Sequence, residues 1–201
     1  MISPFSEAGV INAAACRLLI DTYNAIAPYA ICRDQHGNSL VQWSELIMSR
    51  QAATTLLEAT RRCLCLTADA FGLKTIYPET VLLAMIQDGQ AHEPHADNEK
   101  RVNNEWVPNH TPQRDYAGLL YLNSDFEGGE LHFEGDGSRI FRPSGGLYVS
   151  FPCDRRFVHQ VTPVEHGRRY SLALWFTCRH SYANLALVDA LDQLPERRDH
   201  S

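Results

Sequence analysis

Apolar residues in the first third of the chain recur at helical spacing. A first amphipathic helix is predicted over residues 13 to about 25, with Asn12 as its N-cap and with Leu19 and Tyr23 on its apolar stripe. A second, longer helix is predicted over residues 49 to 71, where apolar positions follow the helical period and Gly72 is a natural C-terminal stop. The first third is therefore predicted to be mainly helical.

After Pro78 the pattern changes to short runs of apolar and β-branched residues separated by Gly, Pro, Asn and Asp. The runs predicted as strands are 80–86, 116–122, 130–133, 139–141, 147–151, 157–161 and 170–176. Several short strands with turn residues between them are typical of a sandwich or a jelly roll. A closing helix is predicted over about 185 to 194, ending before Pro195. The fold class is therefore α+β, and mainly β.

The length favours one domain. A chain of 201 residues is long enough for one well-packed core and short for two domains of average size. Its hydrophobic content of 44% and charged content of 21% are those of an ordinary globular protein. We expect a single domain over 1–201, with helical support in 1–79, a jelly-roll core in 80–178 and a C-terminal helix and tail in 179–201.

Charge, hydropathy and cysteine spacing exclude several classes of partner. A formal net charge of −6 argues against nucleic acid, whose binding depends on neutralising phosphates. No apolar run approaches the roughly 20 residues of a membrane-spanning helix, so no membrane partner is expected. The N-terminus has no basic stretch before an apolar core, which favours a cytoplasmic location. The six cysteines form no Cys-x-x-Cys pair, and free thiols are expected.

The candidate chemistry lies at His95, Asp97 and His159. Residues spaced i, i+2 on an extended segment share a face, so His95 and Asp97 can bind one cation together. A second imidazole from His159 would complete a 2-His-1-carboxylate site, which leaves three positions of an octahedral ion open. This pattern is typical of a non-haem iron(II) oxygenase.

The segments around these residues carry a family resemblance. They are His95-Ala96-Asp97-Asn98, Arg114-Asp115-Tyr116, Phe126-Glu127-Gly128-Gly129-Glu130-Leu131, Pro143-Ser144-Gly145-Gly146, Gly167-Arg168-Arg169-Tyr170-Ser171 and Ala173-Leu174-Trp175-Phe176-Thr177. In order and spacing they resemble the catalytic domain of the prolyl hydroxylases, which are iron(II)- and 2-oxoglutarate-dependent dioxygenases. Within that superfamily they are most similar to the prolyl 3-hydroxylase (leprecan) branch. The resemblance implies a double-stranded β-helix, a cupin-like jelly roll.

The resemblance also implies roles for named residues. The two histidines and the aspartate match the family's three iron ligands. Arg169, ten positions beyond His159, matches the basic residue that pairs with the distal carboxylate of 2-oxoglutarate, a task suited to a permanently charged guanidinium. Ser171 can add a hydroxyl on the same face, and Tyr121 matches a tyrosine that contacts the co-substrate in some relatives. The implied cofactors are iron(II), 2-oxoglutarate and O2, with ascorbate as a candidate stimulant, and no catalytic acid or base is required.

Further polar residues are candidates for contacting the substrate or for supporting the ligands. They are Asn98, Trp106, Arg114 and His132. Trp106 lies in the polar segment 99–113, which resembles a lid over the site. His92 lies three residues before His95 on a segment expected to be extended, so it is predicted to face away from the ligands.

Differences from related families argue against two reactions, prolyl 4-hydroxylation and halogenation. Collagen-type prolyl 4-hydroxylases carry a tyrosine where this chain has Met85-Ile86, and a lysine where it has Arg169. Related halogenases replace the carboxylate of Asp97 by a small residue, so hydroxylation is favoured over halogenation.

The resulting hypothesis is a dioxygenase that hydroxylates an unactivated C–H bond of a prolyl residue, free proline or a related amino acid, with release of succinate and CO2. Its partner would be a small-molecule, amino-acid or peptide substrate. A tailoring oxygenase acting on a small natural product or a carrier-tethered intermediate is a second hypothesis. A non-catalytic jelly roll that binds a metal or ligand is the third.

Overall fold

The computed structural model describes residues 2–134 and 139–195. Its α-helices in this part of the chain are α1 (Ala13–Ile26), α2 (Arg50–Phe71) and α3 (Leu185–Asp192). Short 3-10 helices cover Ala27–Tyr29, Trp43–Met48, Arg155–Phe157 and His180–Tyr182. None of the described helices is long and apolar enough to cross a membrane. The predicted tail, residues 196–201, lies outside the described residues.

The predicted helices are confirmed within one or two residues. The side chain of Asn12 accepts a hydrogen bond from the backbone N–H of Ala15, which caps α1. Gly72 ends α2 in the left-handed conformation, with φ of 63°. The caps predicted from residue type are therefore the caps that form.

Fifteen strands are present in the described residues. They are β1 (Phe5–Glu7), β2 (Cys32–Arg33), β3 (Ser39–Gln42), β4 (Tyr77–Gln87), β5 (His92–His95), β6 (Glu99–Val102), β7 (Glu105–Pro108), β8 (Tyr116–Tyr121), β9 (Glu127–Gly128), β10 (Leu131–Phe133), β11 (Ile140–Phe141), β12 (Tyr148–Pro152), β13 (His159–Val161), β14 (Val164–His166) and β15 (Arg168–Thr177). All the predicted strands form. The others are short or polar, and the predicted lid segment begins as the hairpin β6–β7.

Two antiparallel sheets form the core of the fold. The larger has the order β1-β12-β8-β15-β4-β3-β2, and the smaller has the order β11-β10-β13-β5. Two small two-stranded sheets, β14-β9 and β6-β7, complete the described sheets. This mainly β jelly roll confirms the predicted fold class. All six cysteines lie in the described residues and are free, as expected.

The large sheet is buried on both of its faces. One face packs against the helices in a cluster that includes Leu19 of α1, Leu56 of α2 and Leu172 of β15. The other face packs against the small sheet in a second cluster, to which Phe133 of β10 and Phe151 of β12 belong. The central strands therefore carry apolar side chains at nearly every position, which explains why their sequences are apolar runs and not simple alternations.

A buried polar network joins α2 to the large sheet. The Thr67 hydroxyl lies 2.7 Å from the Tyr148 hydroxyl and 3.0 Å from the Ser150 hydroxyl. Ser150 in turn donates to the backbone carbonyl of Ala117. Tyr148 is fully buried and crosses directly over Gly118, where an added Cβ would lie 2.4 Å from the Tyr148 hydroxyl oxygen. The network therefore requires glycine at this position of β8.

We predict that Gly118→Ala destabilises the protein by about 1 to 3 kcal/mol, as is typical of overpacking in a closed core. The tyrosine ring cannot move away without losing its hydrogen bonds to the network. Gly145→Ala is the matched control, because its added Cβ would meet its nearest neighbour at an ordinary 3.5 Å. Urea unfolding of both variants measures the difference, and equal free energies of unfolding would contradict the prediction.

Candidate active site

Three candidate ligands converge between the two sheets. His95 ends β5, His159 begins β13, and the two are direct cross-strand partners. Asp97 follows two residues after the end of β5. One ligand atom from each residue lies within 4.8 Å of the other two. The structure therefore brings the three predicted ligands together, although Asp97 lies beyond the strand that the shared-face rule assumed.

Backbone carbonyls orient both imidazoles. His95 Nδ1 lies 2.7 Å from the carbonyl oxygen of Glu93, and His159 Nδ1 lies 3.0 Å from that of Phe157. A carbonyl can only accept, so each Nδ1 carries the proton and each Nε2 keeps a free lone pair. Burial lowers the pKa of His159, with the neighbouring His95 acting in the same direction. The bonds at Nδ1 thus orient both rings and leave each Nε2 available to a cation.

The Asp97 carboxylate has one oxygen that is bonded and one that is not. Oδ1 accepts a hydrogen bond of 3.0 Å from the indole Nε1 of Trp175. Oδ2 is buried, lies 3.9 Å from His159 Nε2 and has no hydrogen-bond partner within the described ranges. An orphaned buried carboxylate oxygen is costly unless a cation or donor reaches it. Two imidazole nitrogens and this oxygen are a donor set that fits a divalent transition metal.

Arg169 supplies a second uncompensated charge. The residue is 3% exposed, and its Nε and Nη2 have no hydrogen-bond partner among the residues that the structure describes. Its guanidinium lies 4.8 Å from the ring centroid of Tyr121, whose buried hydroxyl likewise lacks a described partner. Ser171 lies two residues further along the same strand. Unpaired guanidinium donors beside two hydroxyls fit a bound carboxylate.

One cavity of about 200 Å³ connects these two charged groups. Its lining includes the three candidate ligands, Arg169 and Ser171. Apolar side chains from the large sheet, such as Leu82, Ile86 and Phe151, form much of the remaining wall. Such walls exclude water from the space between the metal ligands and the guanidinium.

Arg114 and Asn98 lie beside the site and support it. Arg114 Nε lies 3.2 Å from Glu79 Oε2, and its guanidinium stacks 4.0 Å above the Trp175 ring. Asn98 Nδ2 donates to the backbone carbonyl of Arg114 at 2.8 Å. Arg114 thus contacts Trp175, which donates to Asp97, and Asn98 contacts the backbone of Arg114. Neither Arg114 nor Asn98 is among the described residues that line the cavity.

The structure places Trp106 and His132, two candidates for contacting the substrate or supporting the ligands, away from the cavity. Neither is among the described residues that line the cavity. Trp106 lies in β7 of the separate β6–β7 hairpin. On β10 the flanking Leu131 and Phe133 point into the core, so His132 points outward, where its Nε2 lies 2.9 Å from Glu130 Oε2.

His92 requires a correction, because it faces the cavity and not away from it. The pairing of β5 with β13 matches His95 with His159 but His92 with Val161. Three residue steps on β5, from His92 to His95, therefore lie opposite two steps on β13. A bulge of this kind brings His92 and His95 to the same face of the strand. Pro94 was the available signal, since proline cannot donate to a sheet ladder and is found at bulges.

Trp175 and Glu79 were not among the residues singled out from the sequence. Trp175 lies on β15 at an even spacing from Arg169 and Ser171, so period-two alternation alone places it on the same inner face. Glu79 had no comparable signal, because its role comes from the distant Arg114.

Comparison with known proteins identifies the domain. Residues 81–177 match the model of the 2OG-Fe(II) oxygenase superfamily. This segment belongs to the 2OG-Fe(II) oxygenase superfamily. The matched segment contains all three candidate ligands, Arg169 and Ser171.

Among curated proteins, the chain is similar to prolyl 3-hydroxylases. It is 32% identical to human prolyl 3-hydroxylase 3, over 74% of this chain and 23% of that protein. It is 39% identical to prolyl 3-hydroxylase 2 of Gallus gallus, over 50% of this chain and 16% of that protein. The matched part thus covers less than a quarter of the length of these relatives.

Solved structures show the same fold at low identity. The viral collagen prolyl hydroxylase of Paramecium Bursaria Chlorella virus-1 aligns with a TM-score of 0.61 and 18% identity, over 88% of this chain and 96% of that one. A prolyl hydroxylase of Trichoplax adhaerens, solved with a hypoxia inducible factor peptide, aligns with a TM-score of 0.62 and 15% identity, over 91% of this chain and 86% of that one. At this identity the likeness establishes the double-stranded β-helix.

We predict that acid weakens the metal-free protein partly through His92. Burial, with Arg169 and His95 nearby, lowers the pKa of His92 to about 4. Between about pH 6.5 and 4 the unfolded chain binds a proton at this residue that the folded protein does not, so stability falls as the pH falls. The buried His159 contributes in the same direction.

Urea unfolding in the presence of a chelator, from pH 7.5 to pH 4, measures the effect. His92→Gln should reduce the loss of unfolding free energy over this range by about 1 to 3 kcal/mol. A variant that loses stability as steeply as the wild type would contradict the burial of a neutral imidazole at this position.

Proposed function

We propose that this protein is an iron(II)- and 2-oxoglutarate-dependent dioxygenase that hydroxylates an unactivated C–H bond of a prolyl residue, or of free proline or a related amino acid, with release of succinate and CO2. One observation carries the proposal most directly. Within a single cavity, the converging ligand atoms of His95, Asp97 and His159 share space with the buried, unpaired guanidinium of Arg169. A site for a cation and a site for a carboxylate are thereby combined.

The metal would be held by His95 Nε2, His159 Nε2 and Asp97 Oδ2. Each Nδ1–H is engaged by a backbone carbonyl, and Asp97 Oδ1 is engaged by Trp175, so these three atoms are the ones left free. When bound, iron(II) supplies oxygen activation coupled to the oxidative decarboxylation of 2-oxoglutarate. The protein would contribute three ligands and would leave the remaining positions of the ion to the co-substrate and O2.

The distal carboxylate of 2-oxoglutarate would bind to Arg169. The guanidinium has two nitrogens without described partners, and the hydroxyls of Ser171 and Tyr121 lie on the neighbouring positions of paired strands. Burial raises the pKa of Tyr121, so its hydroxyl stays protonated and can donate. The apolar walls around this carboxylate strengthen the charge-assisted bonds by excluding water.

The relatives support prolyl chemistry as the finer assignment. The curated proteins with the matching segment are named prolyl 3-hydroxylases, and their identity to this chain reaches 39% over 108 residues. The ligands and the co-substrate residues are carried by the segment that the superfamily model covers. A prolyl group in a peptide is therefore the first substrate to test, followed by free proline.

The test is succinate release by the purified protein with iron(II), 2-oxoglutarate and either a proline-rich peptide or free proline. We predict that Arg169→Leu raises the KM for 2-oxoglutarate about 30-fold or more, because losing a buried charge-assisted pair costs roughly 2 to 5 kcal/mol. Arg168→Leu is the matched control, since this neighbouring arginine is exposed, and it should change the KM less than about twofold.

Two outcomes would contradict the proposal. Equal KM values for Arg169→Leu and Arg168→Leu would remove Arg169 from the co-substrate site. Absence of succinate release by folded wild-type protein, with every substrate and without one, would contradict the dioxygenase assignment itself.

A further inference from the structure

The two oxygens of Asp97 have different surroundings, and Trp175 creates the difference. The indole Nε1–H donates to Oδ1 at 3.0 Å. Oδ2 remains without a hydrogen-bond partner in residues 2–134 and 139–195, and it is the oxygen 3.9 Å from His159 Nε2. One oxygen is thus held by the protein, and the other lies on the side of the histidines.

The backbone of Asp97 is held independently of its side chain. Its carbonyl oxygen accepts hydrogen bonds from Asn109 Nδ2 at 2.9 Å and from Thr111 Oγ1 at 3.0 Å. With the backbone fixed by these two bonds, the freedom that remains is rotation of the carboxylate about its own side-chain torsions. The hydrogen bond from the indole removes that freedom.

The indole is itself clamped. The Arg114 guanidinium lies over the ring at 4.0 Å from its centroid, which is a favourable cation–π geometry. Glu79 holds the arginine there, because its Oε2 accepts from Arg114 Nε at 3.2 Å and its Oε1 accepts from Gln113 Nε2 at 2.9 Å. This pair therefore holds the plane of the ring, and with it the direction of the indole N–H.

The strand geometry directs the indole toward the ligands. Trp175 pairs with Thr80 of β4, but its neighbour Phe176 pairs with Pro78, so the register shifts between these two positions. Such irregularities redirect the side chains beside them. Trp175 also lines the same cavity as Arg169 and Ser171, which come from the same strand.

We propose that Trp175 is a positioning residue of the metal centre, which holds Asp97 as a one-oxygen ligand, and that the Glu79–Arg114 pair is the clamp that orients it. This inference rests on the proposed function, because it assumes a metal at the three ligands. A carboxylate restricted to one oxygen leaves three positions of a six-coordinate ion open, as the reaction requires. Without the indole, Asp97 is free to rotate, and the ion loses a pre-oriented ligand.

The test uses Co(II) as the probe, with its dissociation constant measured by calorimetry and its coordination followed by its visible spectrum. Trp175→Phe keeps an aromatic ring and removes the N–H donor. We expect it to weaken Co(II) binding about 10- to 100-fold, the usual effect of losing a group that orients a ligand, and to change the spectrum. The melting temperature of the metal-free variant should stay close to that of the wild type.

Trp106→Phe is the matched control, because this tryptophan is on the β6–β7 hairpin and outside the described cavity lining. It should leave the affinity and the spectrum of Co(II) unchanged. In an Asp97→Ala background, adding Trp175→Phe should have no further effect, since the indole would act only through that carboxylate.

An affinity within twofold of the wild type, with an unchanged spectrum, would overturn the inference. The inference would also be overturned if Trp175→Phe weakened Co(II) binding by the same factor in the Asp97→Ala background as in the wild type. If Trp175→Phe does not fold, Glu79→Gln and Arg114→Met decide instead. Both leave the indole in place and should weaken Co(II) binding about 3- to 10-fold, and wild-type affinity in both would contradict the clamp.

The wild-type titration separates this inference from the proposed function. Folded wild-type protein that binds no Co(II) would contradict the metal site, and the inference with it. Wild-type protein that binds Co(II) as tightly as Trp175→Phe would contradict the role of Trp175 alone.

Discussion

Strand β15 is buried on both faces, and the fold and the site both depend on this constraint. Its inner positions Arg169, Ser171 and Trp175 line the cavity, whereas Leu172 and Leu174 between them pack in the helix-facing core. Shifting the register by one residue would exchange the two sets. Pairing with β4 fixes the register at all of these positions, and pairing with β8 fixes it again from Ser171 onward. The packing of the outer face therefore determines where the chemistry of the inner face is placed.

The inner face carries polar atoms that the protein itself does not satisfy. Asp97 Oδ2 and two nitrogens of Arg169 are buried without hydrogen-bond partners in the described residues. Uncompensated groups of this kind lower the stability of a folded protein, and they are retained where a ligand completes them. A cation at Asp97 and a carboxylate at Arg169 would each relieve one of these costs. The same side chains thus lower the stability of the ligand-free protein and raise its affinity for the ligands.

Local sequence signals were sufficient for the helices and the central strands, whereas His159 was joined to His95 and Asp97 through the family resemblance and not through local spacing. Asn12 and Gly72 mark helix ends through backbone preferences that depend on a few residues only. The short strands at the margins were not predictable, because they form by pairing with distant segments. The bulge that turns His92 inward depends on pairing with β13, and Pro94 is its only local sequence signal. For His132, by contrast, the buried neighbours Leu131 and Phe133 already indicated an outward direction.

The contacts around Trp175 show where sequence reasoning ends. Alternation along β15 places the indole on the inner face, but its acceptor on Asp97 and its partner Arg114 come from segments about 60 to 80 residues earlier in the chain. Such contacts are properties of the assembled sheets.

The central claim is that one cavity binds iron(II) and 2-oxoglutarate together. The most direct measurement is an anaerobic titration of the metal-free protein with iron(II) and 2-oxoglutarate, following the visible charge-transfer absorption of the chelate in wild type and in His159→Ala. We expect a saturable band in the wild type that is lost in the variant. Folded wild-type protein without the band, or a variant that keeps it in full, would contradict a shared site for iron(II) and 2-oxoglutarate.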